Sequence, residues 1–119
     1  MADLPQNARV VIVGGGVIGC SVAYHLAKQG WKDVVLLERK QLTSGTTCHA
    51  AGLIGQLRAS QNMTKLARYS AELYMGLEAE TEVATGMRQV GSVSVALTDE
   101  RLEELYRNAA MARAFDVPV

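Results

Sequence analysis

Residues 9–19 read Arg-Val-Val-Ile-Val-Gly-Gly-Gly-Val-Ile-Gly, and residues 34–38 read Val-Val-Leu-Leu-Glu. The first stretch is an apolar, strand-like run that ends in a G-x-G-x-x-G turn. The second is another strand-like run, and it ends in an acidic residue 19 positions beyond the last glycine of the turn. A helical period over residues 17–29 joins them. Together they predict a Rossmann-type βαβ unit with a dinucleotide at the turn; the alternative is a glycine-rich turn without a ligand.

Each glycine of the turn has a predicted task. Gly14 permits the tight turn, Gly16 lets the backbone approach a pyrophosphate, and Gly19 lets the helix pack closely against the sheet. The first free N–H groups of the helix, near Val17 and Ile18, point at the pyrophosphate, and the helix dipole favours its negative charge. These five residues are therefore candidate cofactor-binding residues.

The acid at the end of the second strand, Glu38, is predicted to accept the ribose hydroxyls of the dinucleotide. The same carboxylate would repel a 2′-phosphate, which argues against NADP, although the adjacent Arg39 weakens that argument. The glycine motif and Glu38 alone therefore permit either FAD or NAD.

Composition excludes several function classes. The 119 residues are 49% hydrophobic and 20% charged, with a formal net charge of zero, so no basic surface for nucleic acid is expected. The longest apolar runs are too short to cross a membrane, and the first five residues do not resemble a secretory signal, which makes the cytoplasm the default location. Two cysteines, Cys20 and Cys48, form neither a disulfide framework nor a metal-ligand pattern.

Beyond the βαβ unit, residues 39–61 predict a long loop, which in a compact domain is usually functional. An amphipathic helix of about 22 residues follows. Alternating apolar and small polar residues over 92–97 predict a strand, and Thr98 is expected to cap a last helix with an acidic first turn. The predicted fold class is thus α/β, a βαβ unit followed by an α-β-α segment. Since no third Rossmann strand is recognised, we expect the front part of a larger enzyme; a complete small domain is the alternative.

One resemblance is specific enough to name. The run from Arg9 to about Phe115 resembles the amino-terminal part of FAD-dependent dimethylglycine and sarcosine dehydrogenases, in the family of D-amino-acid-oxidase-like flavoproteins. It implies that residues 1–86 are the FAD-binding Rossmann portion and that residues 87–119 begin the substrate, or cap, portion. The residues that carry it are Gly14, Gly16, Gly19, Glu38, Arg39, the run 43–47 and the run 49–53.

The resemblance also implies a function. Such enzymes oxidise a small N-methylated amine by hydride transfer to the flavin, and some pass the one-carbon unit to folate in a separate C-terminal domain. We call residues 44–53 the flavin loop, because the resemblance places them along FAD. Its members are Ser44, Gly45, Thr46, Thr47, Cys48, His49, Ala50, Ala51, Gly52 and Leu53.

Two residues of the flavin loop carry finer expectations. The resemblance implies that His49 is the residue joined covalently to the flavin methyl group. The family usually places tryptophan before that histidine, and here the position is Cys48, so non-covalent binding stays an alternative. We expect Cys48 to fill an apolar slot and, in extended chain, to point away from His49.

The catalytic residues are unknown, because the groups that hold the amine are expected beyond Val119. Besides the flavin enzyme, an NAD-dependent dehydrogenase and an inactive fragment remain as alternative functions. The long flavin loop favours FAD, since a plain nicotinamide domain does not need it.

Overall fold

A computed structural model describes residues 5–119; the polar lead-in predicted for residues 1–8 lies in part outside them. Its elements in chain order are β1 (Val10–Val13), α1 (Val17–Lys28), β2 (Val34–Leu37), a single 3₁₀ turn (Thr46–His49), α2 (Gln61–Thr81) and α3 (Asp99–Ala114). The chain divides into two compact units, the first ending at Leu53 and the second beginning at Ile54. This division concerns compactness, and the functional boundary predicted after residue 86 stays a prediction.

The first unit is a parallel βαβ unit. β1 and β2 pair in parallel, with Val10 opposite Val34 and Val13 opposite Leu37. The Gly14 amide extends the pairing by donating to the Leu37 carbonyl at 2.8 Å. Because parallel strands need a crossover, α1 connects them, and the carboxyl ends of both strands meet at one edge.

Alternation along β1 gives the sheet two different faces. Ile12 is buried, and its Cγ2 atom lies 3.3 Å from where a Cβ on Gly19 would be, so it faces α1. Val11 and Val13, which point to the opposite face, are 53% and 85% exposed. The helix therefore covers one face of the sheet, and the other face is apolar and open.

The second unit contains the two longer helices, and both begin with a side-chain cap. The Ser60 hydroxyl accepts from the Met63 amide at the start of α2, and the Thr98 hydroxyl accepts from the Arg101 amide at the start of α3. Such caps satisfy amide groups that have no partner inside the helix. Thr98 is the cap that the sequence predicts, and acidic residues occupy the first turn of α3 as expected.

The strand predicted over residues 92–97 is not formed. Within residues 5–119 the sheet consists of β1 and β2, and residues 83–97 have no regular secondary structure. Val93 and Leu97 are 93% and 95% exposed. Alternating apolar residues favour a strand only when one face of that strand is buried and a neighbouring strand pairs with it. No described strand pairs with residues 92–97, so this segment is irregular. The α/β class and the βαβ unit are confirmed, whereas the second part consists of two helices without an intervening strand.

No helix among residues 5–119 is both long enough and apolar enough to cross a membrane.

Candidate functional site

The glycine turn has the geometry that its sequence predicts. Gly14 has a φ of +104°, a backbone conformation that residues with a side chain rarely adopt. A Cβ on Gly19 would collide with the Gly14 carbonyl oxygen, so the close packing of α1 on the turn requires glycine there. Gly16 is the residue before α1, and its extended backbone leads the chain into the helix.

Glu38, directly after β2, is bound to the glycine turn. Its Oε2 accepts from the Gly15 amide at 2.8 Å, and its Oε1 accepts from the Lys40 amide at 2.9 Å. The hydrogen bond from Gly15, followed by the one from Lys40, lowers the pKa of the Glu38 carboxyl below its ordinary value. Glu38 is therefore ionised at neutral pH, and each oxygen keeps further lone pairs for hydroxyl donors.

The flavin loop contacts the start of α1, directly after the same turn. The Val17 amide, the first amide of α1, donates to the Thr47 hydroxyl at 3.0 Å. It is therefore not one of the free amides that the sequence predicts near Val17 and Ile18. Just before the loop, the Thr43 amide donates to the Gly15 carbonyl at 2.8 Å. Gly16 makes room for this arrangement, because a Cβ there would lie 3.1 Å from the Thr47 hydroxyl oxygen. Segments 30 residues apart thus share one site.

A shallow, open groove of about 390 Å³ lies at the carboxyl ends of the two strands. Val13 and Leu37 give it an apolar floor, and Glu38 supplies its charged acceptor. In parallel α/β folds, ligands bind at this edge of the sheet. The residues that line it are Val13, Gly14, Leu37, Glu38 and Arg39.

The structure corrects the expectation for Cys48. Its side chain is exposed and does not fill an apolar slot, and the thiol donates to the carbonyls of Gly45 at 3.0 Å and Ser44 at 3.4 Å. The local backbone is a 3₁₀ turn, so the argument from extended chain, which put Cys48 and His49 on opposite sides, is also wrong. The turn aims the Cys48 side chain back at the carbonyls before it.

The predicted site residues fall into two groups. The glycine turn, the start of α1, Glu38, Arg39 and Thr47 lie together at one end of the βαβ unit. The second group is the end of the flavin loop: among residues 5–119, no hydrogen bond links residues 50–53 to the glycine turn. His49 is exposed, and Leu53 is 88% exposed.

Three contacts of the site were not predicted from the sequence. Gly15 matters because a Cβ on it would lie 2.5 Å from the Leu42 side chain, and its amide binds Glu38. Thr43 takes a φ of +63°, which is unusual for a β-branched residue, and its amide binds Gly15. The three glycines in a row were a signal that Gly15 also needs a small side chain.

The donors of this site suit a dinucleotide better than a metal ion. Amides at a helix N-terminus bind phosphate oxygens, and a carboxylate beside them accepts ribose hydroxyls. Among residues 5–119, no three His, Cys, Asp or Glu side chains are grouped so that they could hold a metal ion.

Curated relatives have names of two kinds. The chain is 46% identical over 115 residues to the mitochondrial pyruvate dehydrogenase phosphatase regulatory subunit of Mus musculus, covering 97% of this chain and 13% of that protein. It is 50% identical over 99 residues to dimethylglycine dehydrogenase of Rattus norvegicus, covering 83% and 12%. It is 44% identical over 115 residues to sarcosine dehydrogenase of Homo sapiens, covering 96% and 12%.

The chain covers only a small part of each of these relatives. The chain spans about one eighth of the length of the three relatives. All three are named as mitochondrial proteins, which gives no support to the cytoplasmic location expected from composition. The family model of FAD-dependent oxidoreductases, abbreviated DAO, matches residues 9–119, which include the glycine turn, Glu38 and the flavin loop. The chain therefore belongs to the family of FAD-dependent oxidoreductases.

Proposed function

We propose that this chain is the amino-terminal FAD-binding part of an enzyme that oxidises a small N-methylated amine, such as dimethylglycine or sarcosine. Two relatives are named for these substrates and are 44–50% identical to the chain. The family implies FAD, whereas the glycine motif and Glu38 alone permit either FAD or NAD. When bound, FAD supplies the acceptor for a hydride from the substrate.

The single observation that supports this proposal best is the convergence of Glu38, Thr47 and the start of α1 on one glycine turn. Dipoles at the N-terminus of α1 suit the pyrophosphate, while the ionised Glu38 suits the ribose hydroxyls and disfavours an additional phosphate. The open groove beside Glu38 leaves space for the nucleotide.

The roles of this chain's residues in the reaction are binding and orientation. The amides of Gly16 and Ile18 form no intramolecular hydrogen bond within the described part of the chain, and they are the groups we assign to the pyrophosphate. Glu38 would hold the ribose. The flavin loop would carry the chain along the cofactor towards its reactive ring.

We also propose His49 as the covalent attachment point of the flavin. It is exposed at the end of the 3₁₀ turn, two residues after the Thr47 hydroxyl that contacts α1. A neutral imidazole nitrogen is a competent nucleophile towards an electron-poor flavin methyl group when the two are held in contact. Non-covalent FAD binding is the alternative.

Two partners belong to the proposal for the whole natural protein. One is the small methylated amine. The other is folate, bound by a separate C-terminal domain that would receive the one-carbon unit.

A second candidate function is regulatory. The regulatory subunit of Mus musculus is 46% identical over 97% of this chain, so the same fold occurs in a relative that is named for regulation. A protein of this kind would keep the dinucleotide site without oxidising an amine.

The experiment uses the natural protein that contains this sequence. After it is purified with FAD, dimethylglycine or sarcosine is added without oxygen, and the visible flavin absorbance is followed. Bleaching, with formaldehyde or a folate-bound one-carbon unit as product, supports the enzyme. Bound FAD that neither amine reduces would contradict the proposed substrates and favour the regulatory candidate.

A further inference from the structure

At the amino-terminal edge of the sheet, where both strands begin, one side-chain contact joins two segments of the βαβ unit. The Arg9 guanidinium lies over the Trp31 ring, 4.5 Å from the ring centroid. Arg9 directly precedes β1, and Trp31 lies in the connection between α1 and β2. A guanidinium over the face of an indole is attracted by the electrons of the ring. We call this contact the Arg9–Trp31 clamp.

Backbone hydrogen bonds hold both partners of the clamp at this edge. The Trp31 amide donates to the Leu26 carbonyl at 3.0 Å, which binds the connection that carries the indole to the end of α1. The amides of Arg9 and Val10 both donate to the Asp33 carbonyl, at 3.0 and 3.2 Å. The cation and the ring are therefore carried by two segments that meet where the sheet begins.

The same ladder of backbone hydrogen bonds continues to the glycine turn. It begins at Asp33, passes along the paired strands and ends where the Gly14 amide donates to the Leu37 carbonyl at 2.8 Å. One residue later, the Gly15 amide donates to the Glu38 carboxylate. Within residues 5–119 each strand has one partner, and so small a sheet is marginally stable and opens locally. A contact that closes one end of the ladder therefore reduces its opening at the other end.

A second cation–aromatic pair shows what is particular to the clamp. The Lys28 ammonium lies 5.3 Å from the centroid of the Tyr24 ring, and both residues belong to α1. That pair has similar chemistry but stays within one helix. The clamp instead joins two segments that the whole of α1 separates in sequence.

We propose that Arg9 and Trp31 are positioning residues for the cofactor site: by closing the amino-terminal edge of the sheet, they hold the Gly15 amide on the Glu38 carboxylate at the opposite edge. The inference rests on the proposed function, because it treats that opposite edge as the FAD site. It adds that two residues that line no part of the groove determine how well the glycine turn is ordered before FAD binds.

The test uses the natural protein that contains this sequence, with His49→Ala in every variant so that no flavin becomes covalently linked. Arg9→Gln and Trp31→Leu each remove one partner of the clamp, whereas Arg9→Lys and Trp31→Phe keep a cation over an aromatic ring. Lys28→Gln is the matched control, since it removes the cation of the pair within α1. Because Arg9 is exposed, Arg9→Gln tests the clamp even where Trp31→Leu prevents folding.

Two measurements are made on each variant. Hydrogen–deuterium exchange without cofactor, resolved to single residues by fragmentation of the peptides, reports the Gly15 amide. Fluorescence titration reports the affinity for FAD. We expect Arg9→Gln and Trp31→Leu to exchange about threefold faster at Gly15 and to bind FAD about threefold more weakly. The conservative variants and Lys28→Gln should behave like the reference protein. Arg9→Gln combined with Trp31→Leu should be no weaker than the weaker single variant, because both changes break one contact.

The outcomes separate this inference from a merely structural contact and from the proposed function. Faster exchange at Val10 with unchanged exchange at Gly15 overturns the positioning role, because the clamp then stabilises its own edge alone. Faster exchange at Gly15 with unchanged FAD affinity overturns the role towards the cofactor, and additive effects of the two changes overturn the clamp as a unit. Failure of the protein with its native His49 to bind FAD contradicts the proposed function instead, and the exchange at Gly15 still decides whether the clamp orders the turn.

Discussion

Glu38 has two tasks in this account, and they can be separated. Both of its carboxylate oxygens already accept backbone amides, from Gly15 and Lys40. It therefore shapes the glycine turn before it meets any ribose. Its pKa is lowered by these bonds, so the carboxylate form is the one that stabilises the turn.

Replacing Glu38 with Gln should weaken FAD binding about tenfold or more, because an amide group lacks the charge and one of the two acceptor oxygens. Glu38→Lys should weaken it further. Titration by fluorescence quenching measures the effect. Glu100→Gln is the matched control, since the pKa of Glu100 is also lowered but it lies in the first turn of α3. Equal affinities for Glu38→Gln and the unaltered protein would show that Glu38 is not at the ribose.

The same carboxylate predicts a pH dependence. The pKa of Glu38 is lowered in the folded protein, so the carboxylate stabilises the folded glycine turn fully above the ordinary pKa of glutamate. This stabilisation is lost as the pH falls through the lowered pKa. FAD affinity of the unaltered protein should therefore hold from neutral pH down to the usual glutamate range and decline below it. Glu38→Gln should lack this acidic step; an identical acidic decline in both proteins would assign the titration to another group.

His49 gives a prediction with a simple readout. If it is the attachment point, acid-precipitated natural protein keeps its yellow colour, and His49→Ala releases the flavin into the supernatant. His25→Ala, at the chain's other histidine, should keep the colour in the pellet. Its Nδ1 atom is 2.6 Å from the Ser21 carbonyl within α1, which is a structural contact. Flavin released by acid from the unaltered protein would contradict the covalent bond and leave FAD binding intact.

Cys48 extends that experiment. The family usually has tryptophan at this position, and here the exposed thiol binds loop carbonyls. Cys48→Trp should raise the covalently linked fraction if a packing surface beside His49 limits the reaction. An unchanged fraction would show that it does not.

At the scale of elements, two glycines in helices have opposite predicted effects. Gly19→Ala in α1 places a Cβ against the Gly14 carbonyl oxygen and should destabilise the βαβ unit by about 3 kcal/mol. Gly76→Ala in α2 meets nothing within 4 Å and should stabilise its helix by up to about 1 kcal/mol. Denaturant unfolding followed by circular dichroism measures both. A tolerated Gly19→Ala would show that α1 does not pack on the turn as described.

The helices and strands also show how much of the fold can be predicted from the sequence. The sequence predicts a strand over 9–13, a helix over 17–29 and a strand over 33–38, and β1, α1 and β2 begin and end within one residue of these bounds. The agreement is close because a glycine turn, a helical period and an acid at a fixed distance act locally. Alternation alone could not show whether residues 92–97 form a strand, since a strand is stable only when another strand pairs with it. The contact between Thr47 and Val17 was beyond reach for the same reason: it depends on the path of a loop across 30 residues.

At the scale of the whole molecule, much apolar surface is uncovered. Val13 is 85% exposed on the open face of the sheet, and the candidate site is a shallow groove. A two-stranded sheet with one covered face is marginally stable by itself. The relatives are about eight times as long as the chain.

We therefore expect the 119-residue chain alone to bind FAD weakly, to lack activity on dimethylglycine or sarcosine, and to aggregate through its exposed strands. A partial site loses most of the buried contact that holds a large cofactor, while ordering the flavin loop still costs entropy. Flavin titration and light scattering of the chain check this. Stoichiometric, tight FAD binding by a monomer would show that the chain is a complete cofactor module.

The central claim is that the glycine turn, Glu38 and the flavin loop form a site for FAD. The most direct measurement is the visible absorption spectrum of the natural protein that contains this sequence, with the cofactor identified after denaturation or proteolysis. The account predicts a yellow protein with one FAD per chain. A colourless protein that takes up no flavin and binds NAD tightly would contradict it.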